Sequence, residues 1–422
     1  MRKKRFFYRI ISGFILTAAL YSCNKDNDFK ELDVSNAAGA SAPMDMMLEP
    51  KALLGKNIFF DKISQPMNMS CATCHAPEYG FTGPRSGQNV QSGIYRGAIA
   101  YRFGNRKPPT SAYATFSPVF HFDEQEGLFV GGNFWDGRAT GERLGSAAAE
   151  QALGPFMNPV EQNHPSKESV LKAIAGSRYA DLWKQVWGDP ITLGSKDAID
   201  LNYDRVGLAI AAYESSREVN QFSSKYDAYL RGEVELTAEE QLGLVLFNGK
   251  GECYECHPSE GDGMNSPLFT DFTFDNLGLP KNPDNPFYKM NSVFLSDGQP
   301  INPEGPSWID YGLGGFLASQ SNSLWKSMAN ENMGKHKVPT LRNVDKKPGP
   351  GNTKAYMHNG VFKSLKEVVH FYNTASIPGM WPAPEVPMNV NRDELGDLGL
   401  TDAEENAIVA FMNTLSDGWN RK

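Results

Sequence analysis

Cys71-Ala72-Thr73-Cys74-His75 decides how the rest of the chain is read, because the pattern returns as Cys253-Tyr254-Glu255-Cys256-His257. Cys-x-x-Cys-His is the attachment signal for c-type haem. Two residues between the cysteines set both sulfurs on one side of a single backbone turn, where they can form thioethers to the two haem vinyl groups. The histidine that follows turns its imidazole to the iron as the proximal ligand. A zinc site and a redox Cys-x-x-Cys pair are the alternatives for such a pattern. Two copies, each with its histidine, point to two covalent c-type haems, one on Cys71, Cys74 and His75 and one on Cys253, Cys256 and His257.

An apolar stretch precedes each motif, Leu54-Gly55-Lys56-Asn57-Ile58-Phe59-Phe60 and Leu242-Gly243-Leu244-Val245-Leu246-Phe247-Asn248. Each reads as a helix running into a haem site. The repeat predicts two cytochrome c-like domains, 46–232 and 233–422, meeting near Arg231-Gly232-Glu233. The second helix opens with a capping box, Thr237 with Glu240, and stops at Gly249. Ser364 with Glu367 and Thr401 with Glu404 mark two more helix starts. Ser166 to Trp187 and Asp204 to Glu218 read as amphipathic helices, with Val206, Ile210 and Tyr213 on one face of the latter. No stretch alternates as a strand, so the expected class is mainly α. The Gly-, Pro- and Asn-rich segment Pro258 to Tyr356 is expected to wrap the second haem as ordered loops.

Composition fits this reading. A chain of 422 residues can bury two or three proper cores. At 40% hydrophobic and 21% charged it has the make-up of a soluble globular protein, and 40 Gly with 27 Pro ask for much ordered loop. A net charge of −8 argues against nucleic acid as a partner and leaves room for a basic electron-donor protein.

The N-terminus reads as an export signal. Arg2-Lys3-Lys4-Arg5 is its basic part, and the apolar run Ile10 to Leu20 is too short to span a bilayer. Leu20-Tyr21-Ser22-Cys23 resembles the lipobox of bacterial lipoproteins, which would make Cys23 the acylated first residue of the mature chain; an ordinary signal peptide with a spare cysteine is the alternative. Residues 24–45 read as a flexible tether. With four of five cysteines committed to haem, only Cys23 remains and no disulfide can form within the chain. Bacteria attach haem to Cys-x-x-Cys-His outside the cytoplasm, so the haem motifs and the export signal both predict the periplasm or cell envelope.

Further motifs carry a resemblance. They are Phe134-Trp135-Asp136-Gly137-Arg138, Glu150-Gln151-Ala152-Leu153-Gly154-Pro155 with Asn158-Pro159-Val160-Glu161, Val338-Pro339-Thr340-Leu341-Arg342-Asn343, and Tyr356-Met357-His358-Asn359-Gly360. From about Pro50 to Leu415 the chain resembles the bacterial di-haem cytochrome c peroxidase family, which includes the methylamine-utilisation enzyme that matures tryptophan tryptophylquinone. The resemblance implies that the first haem is the peroxide site and that the second stores or relays an electron. It also implies that Glu161 moves the peroxide proton, with Gln151 as its neighbour, and that Trp135 lies between the haems.

Three departures from the family pattern matter. Lys107 stands where the family has an Asn that helps bind an interdomain Ca²⁺, which leaves Asn105 and the carbonyls of Thr353 and Ala355 as oxygen donors. No His lies between His75 and His121, where reductively activated members carry a blocking ligand. Tyr372 falls at the position of the Met that ligates the second iron, as it does in the methylamine-utilisation enzyme. It shares a helical face with Leu365, Val368 and Val369, and on that spacing alone a core tyrosine with a hydrogen-bonded hydroxyl is the alternative. The resulting expectation is a peroxidase reducing H₂O₂ with electrons from a small cytochrome c or cupredoxin. A di-haem oxidase acting through high-valent haem on a partner protein or small molecule, and a non-catalytic electron-transfer cytochrome, are the other readings.

Overall fold

The two apolar stretches ahead of the haem motifs form the helices Pro50–Phe60 and Ala238–Asn248. Each crosses a later helix at its glycine. A Cβ on Gly55 would lie 1.8 Å from the carbonyl oxygen of Ala209 in the helix Lys196–Glu214, and one on Gly243 would lie 1.9 Å from that of Ala407 in the helix Asp402–Asn413. The Leu-Gly repeated in the sequence is therefore a repeated helix crossing, where backbone touches backbone and no other residue fits.

The structure is a computed structural model that describes residues 48–261 and 266–420. The export signal, Cys23 and the tether lie outside the described residues. Within the described part, one core gathers Leu54, Ile58 and Phe59 against Val206, Ile210 and Tyr213. A second gathers Leu246, Phe247 and Phe269 against Ile408 and Phe411. The second core already includes Tyr226, on the helix Lys225–Leu230, so it begins upstream of the Arg231-Gly232-Glu233 turn. A third, aromatic cluster joins Phe120 and Phe129 to Phe274, Leu313 and Leu317.

Thr237, Ser364 and Thr401 each cap a helix with the expected partner at the third position, and Gly249 closes the helix after Thr237. Two helix boundaries differ from expectation. Ser166 to Trp187 is two helices, Lys167–Ala175 and Ala180–Trp187. Gly176 ends the first, and the Ser177 hydroxyl takes the Tyr179 amide at 3.3 Å, a local turn that competes with helical pairing. The expected Asp204–Glu218 helix is Lys196–Glu214, opened by Ser195, whose side chain accepts from the Ala198 amide. Short strands also form. His121–Asp123 pairs with Leu128–Val130, and Phe274–Asp275 pairs with His336–Lys337, all antiparallel. At two or three residues each, they are too short to show alternation. The Pro258 to Tyr356 segment is less uniformly loop than expected, because it holds the helices Gly312–Ala318 and Ser323–Ser327. Among the described residues, no helix is long and apolar enough to cross a membrane.

Candidate haem cavities and active site

Each haem motif opens as a single 3-10 turn, Cys71–Thr73 or Cys253–Glu255. The amide of the histidine returns to the carbonyl of the first cysteine, His75 to Cys71 and His257 to Cys253, both at 2.9 Å. The two imidazoles are held alike. Nδ1 of His75 lies 3.2 Å from the Phe81 carbonyl, and Nδ1 of His257 lies 2.7 Å from the Phe269 carbonyl. A carbonyl can only accept, so Nδ1 carries the hydrogen and the Nε2 lone pair is left for a metal. Burial favours the neutral ring, lowering His75 to about 4 and His257 in the same direction. Burial also pushes the thiols of Cys71, Cys74 and Cys253 up to about 12. None is a ready thiolate for zinc or for disulfide exchange.

Both motifs open on cavities, with about 1060 Å³ of empty space, open solvent included, at the first and about 1190 Å³ at the second. A thiol pair, a neutral imidazole with a free Nε2 and an adjoining cavity fit a c-type haem at both places.

Glu161 and Gln151 line the first cavity with Cys74 and His75. Gln151 is on the helix Ala147–Met157, and its neighbour Glu150 faces away, clamping the preceding loop by accepting from the amides of Gly141, Arg143 and Leu144. Glu161 sits in the turn that follows, where Asn158 donates to its carboxylate at 2.6 Å. Burial raises the Glu161 pKa despite nearby Arg138 and the Asn158 bond. Among the described residues, His75 is the only imidazole lining this cavity. His121 lies on an exposed strand with Nδ1 at the Val119 carbonyl. A further carboxyl, Glu214, lines the same cavity, and burial pushes it up to about 8. It ends a helix in an unremarkable Ala-Ala-Tyr-Glu run, so sequence gave no signal for it.

Trp135 lines both cavities and is the wall between them. Its motif is built to hold it there. Phe134 adopts a positive φ of 64°, and the Arg138 guanidinium lies 3.8 Å above its ring. Asp136 is clasped by Arg106 at 2.6 Å and by Arg138 at 2.8 Å. The indole nitrogen donates to the Lys107 carbonyl at 2.8 Å. In the Val338–Asn343 motif, Val338, Pro339 and Leu341 line the second cavity, while Arg342 is buried in a two-fold ion pair with Asp227 at 2.8 and 3.0 Å.

Tyr372 lines the second cavity with Cys253, Cys256 and His257. Leu365 and Val369 on its helix are buried in the second core, as the spacing predicts. Among the described residues no hydrogen bond reaches the phenol oxygen. Burial pushes the phenol pKa well up from its ordinary value. The same wall brings His358 together with His336 and Asp310, two residues that sequence reading missed because no motif or periodicity marks them.

Around Lys107 several oxygens already have hydrogen-bond partners. Its ammonium bonds Thr82 Oγ1 and the Pro108 carbonyl, both at 3.1 Å, and the Asn105 carbonyl accepts from Asn285. The Thr353 carbonyl accepts from Asn89, while buried Lys354 bonds the carbonyls of Tyr79 and Asn343 at 3.0 and 2.9 Å.

The family model described as di-haem cytochrome c peroxidase matches residues 49–235. Over 396 residues the chain is 32% identical to the methylamine utilization protein MauG of Paracoccus denitrificans, covering 90% of this chain and 92% of that protein. The chain belongs to the di-haem cytochrome c peroxidase family. Within it, the cytochrome-c peroxidase IdrP2 of Denitromonas iodatirespirans is 28% identical over 393 residues, covering 90% of this chain and 87% of that one. Among solved structures, the di-haem peroxidase BthA of Burkholderia thailandensis matches at a TM-score of 0.71 with 29% identity, covering 88% of this chain and 87% of that chain. A tyrosine-to-methionine variant of the same protein matches at 0.72. Family membership makes the chain an oxidoreductase with two c-type haems, in agreement with its two motifs and two cavities.

Proposed function

We propose that the protein is a peroxidase that reduces H₂O₂ to water with two electrons from a small donor protein, a cytochrome c or a cupredoxin. The observation that carries this reading is Glu161, half-buried with a raised pKa in the wall of the cavity that also holds Cys71, Cys74 and His75. A plain electron carrier needs no such carboxyl.

When bound, the first haem supplies the iron at which peroxide accepts electrons. The chain supplies the rest. Glu161 takes a proton from the entering peroxide and returns it to the oxygen that leaves as water, a role that asks for a pKa nearer neutrality than an exposed carboxylate has. Gln151 is a neutral hydrogen-bonding neighbour in the same wall. With His75 the only imidazole there among the described residues, no second histidine competes with peroxide. Cys71 with Cys74 and Cys253 with Cys256 tether the two haems, and His75 and His257 offer Nε2 to the irons. Trp135 gives electrons an aromatic bridge between the cavities, and Tyr372 offers its phenol oxygen to the second iron. Calcium is left out of this reading because Lys107 stands where the family has an Asn ligand.

The export-signal reading of Arg2 to Cys23 supports a location in the cell envelope, with Cys23 as the lipid anchor. Mass measurement of the exported protein tests the anchor and the haem content together, with two covalent haems and an acylated N-terminus expected. Steady-state oxidation of a reduced small cytochrome by H₂O₂ tests the reaction. Haem that reacts with peroxide while no donor is oxidised would favour the oxidase reading, and haem inert to peroxide would leave only the carrier.

A further inference from the structure

The second cavity has a feature that the proposed reaction leaves unused. The rings of His336 and His358 stack face to face, 3.5 Å between centroids and 9° between planes. At that distance two imidazolium charges would repel strongly in a buried setting, so the pair accommodates at most one added proton. Both Nε2 atoms are buried, that of His358 without a hydrogen-bond partner, and both residues line the cavity that holds Cys256, His257 and Tyr372.

The surroundings decide where the proton goes. Nδ1 of His336 lies 3.0 Å from the Gly334 carbonyl and so already carries a hydrogen, leaving Nε2 to gain one. That Nε2 lies 3.3 Å from Asp310 Oδ1. Burial works against charge on Asp310, but the Arg106 guanidinium bonds both its oxygens at 2.6 Å and holds it ionised. With both oxygens engaged, Asp310 makes a poor third ligand for a metal ion and a good counter-charge for an imidazolium. His358 is held neutral by burial and by His336 beside it.

We propose that the His336–His358 stack is a proton-binding site coupled to the second haem, in which His336 Nε2 takes one proton from solvent when that haem gains an electron and releases it on oxidation. This rests on the reading that the cavity holds the second haem. The electron comes from the one-electron donor protein. An added negative charge in a low-dielectric cavity stabilises a nearby imidazolium, and the imidazolium in turn stabilises the reduced state.

Other charged groups face the pair. Glu385 accepts the Asp310 amide at 3.2 Å, and burial pushes its carboxyl up to about 7. Asp275 is the strand partner of His336. Lys337 follows His336 but turns its ammonium to Ser117 and Gly131. Asp136 stands behind Arg106.

The test is an optical reductive titration of the second haem in the full holoprotein, at a series of pH values between about 5 and 8, after haem content is confirmed. The midpoint is expected to fall as pH rises, by up to tenfold in the reduction equilibrium constant per pH unit, ~59 mV for one electron. His336→Gln should flatten that slope with both haems retained, and Glu385→Gln should preserve it. Asp310→Asn, which removes the counter-charge, should move the inflection to lower pH. A flat wild-type midpoint, a slope that survives His336→Gln, or an inflection unmoved in Asp310→Asn overturns the proposal. A wild-type preparation holding a single haem overturns instead the reading on which it rests.

Discussion

Trp135 and His358 meet edge to face across the wall between the two cavities, ring centroids 6.4 Å apart at 65°. A single residue holds both. Lys107 accepts the Trp135 indole N–H at its carbonyl and donates its own amide to the His358 carbonyl, each at 2.8 Å. Two motifs far apart in sequence are thereby fixed to each other, and the indole cannot rotate without breaking a buried hydrogen bond.

Trp135→Phe is expected to keep both haems but slow electron passage between them, because it shortens the aromatic bridge and leaves the Lys107 carbonyl without its donor. The lost bond alone costs about 1–3 kcal/mol in a buried setting. Rapid mixing of the reduced protein with peroxide, followed at both haems, measures the transfer. An unchanged rate assigns Trp135 to packing.

Glu161→Gln keeps size and hydrogen bonding but cannot move a proton. Peroxide turnover is expected to drop by roughly 10²–10⁴-fold with both haems bound. The pH profile gives a second readout. The carboxylate must be ionised to take the peroxide proton, so kcat/KM should rise with pH through an inflection above the usual carboxylate range, as the raised pKa requires. Glu161→Gln should abolish that inflection.

The Arg342–Asp227 pair is a stability element. Burial alone would raise Asp227, but Arg342 and Ser224 hold it down to about 2. Its contribution is therefore full above the unfolded pKa of about 3.9 and is lost as pH falls toward about 2, on the order of 2 kcal/mol. Arg342→Met leaves a buried carboxylate unpaired and should cost about 3–5 kcal/mol. Denaturant unfolding at neutral pH measures it, and a loss below 1 kcal/mol would contradict the assignment.

Much of this architecture is legible in sequence, for physical reasons. The capping boxes at Thr237, Ser364 and Thr401 and the Leu-Gly repeat are local patterns, and each formed as read. The Tyr372 helix declared its inner face by periodicity. What stayed hidden is non-local. His336 reaches the second cavity only through a two-residue strand pairing with Phe274–Asp275, and Asp310 matters because Arg106, from a distant segment, grips it. The single long helix expected from Ser166 failed for a smaller reason, since one Gly-Ser step outweighed the amphipathic spacing on either side.

On the proposed reading Tyr372 would offer the second iron a hard, anionic oxygen once its proton is displaced, and such a ligand favours Fe(III). Tyr372→Met, carrying a thioether instead, is expected to raise the midpoint of the second haem markedly. A wild-type midpoint already high, with the spectrum of His/Met ligation from Met357 or Met412 in the same cavity wall, would remove Tyr372 from the iron.

The most direct test is to add H₂O₂ to the fully oxidised holoprotein with no reductant present and to record the haem spectrum. With His75 the only imidazole lining the first cavity among the described residues, the first haem is expected to be open, and the spectrum should change at once on addition of peroxide. A spectrum that shows both haems low-spin and six-coordinate, and that answers peroxide only after prior reduction, would contradict the account.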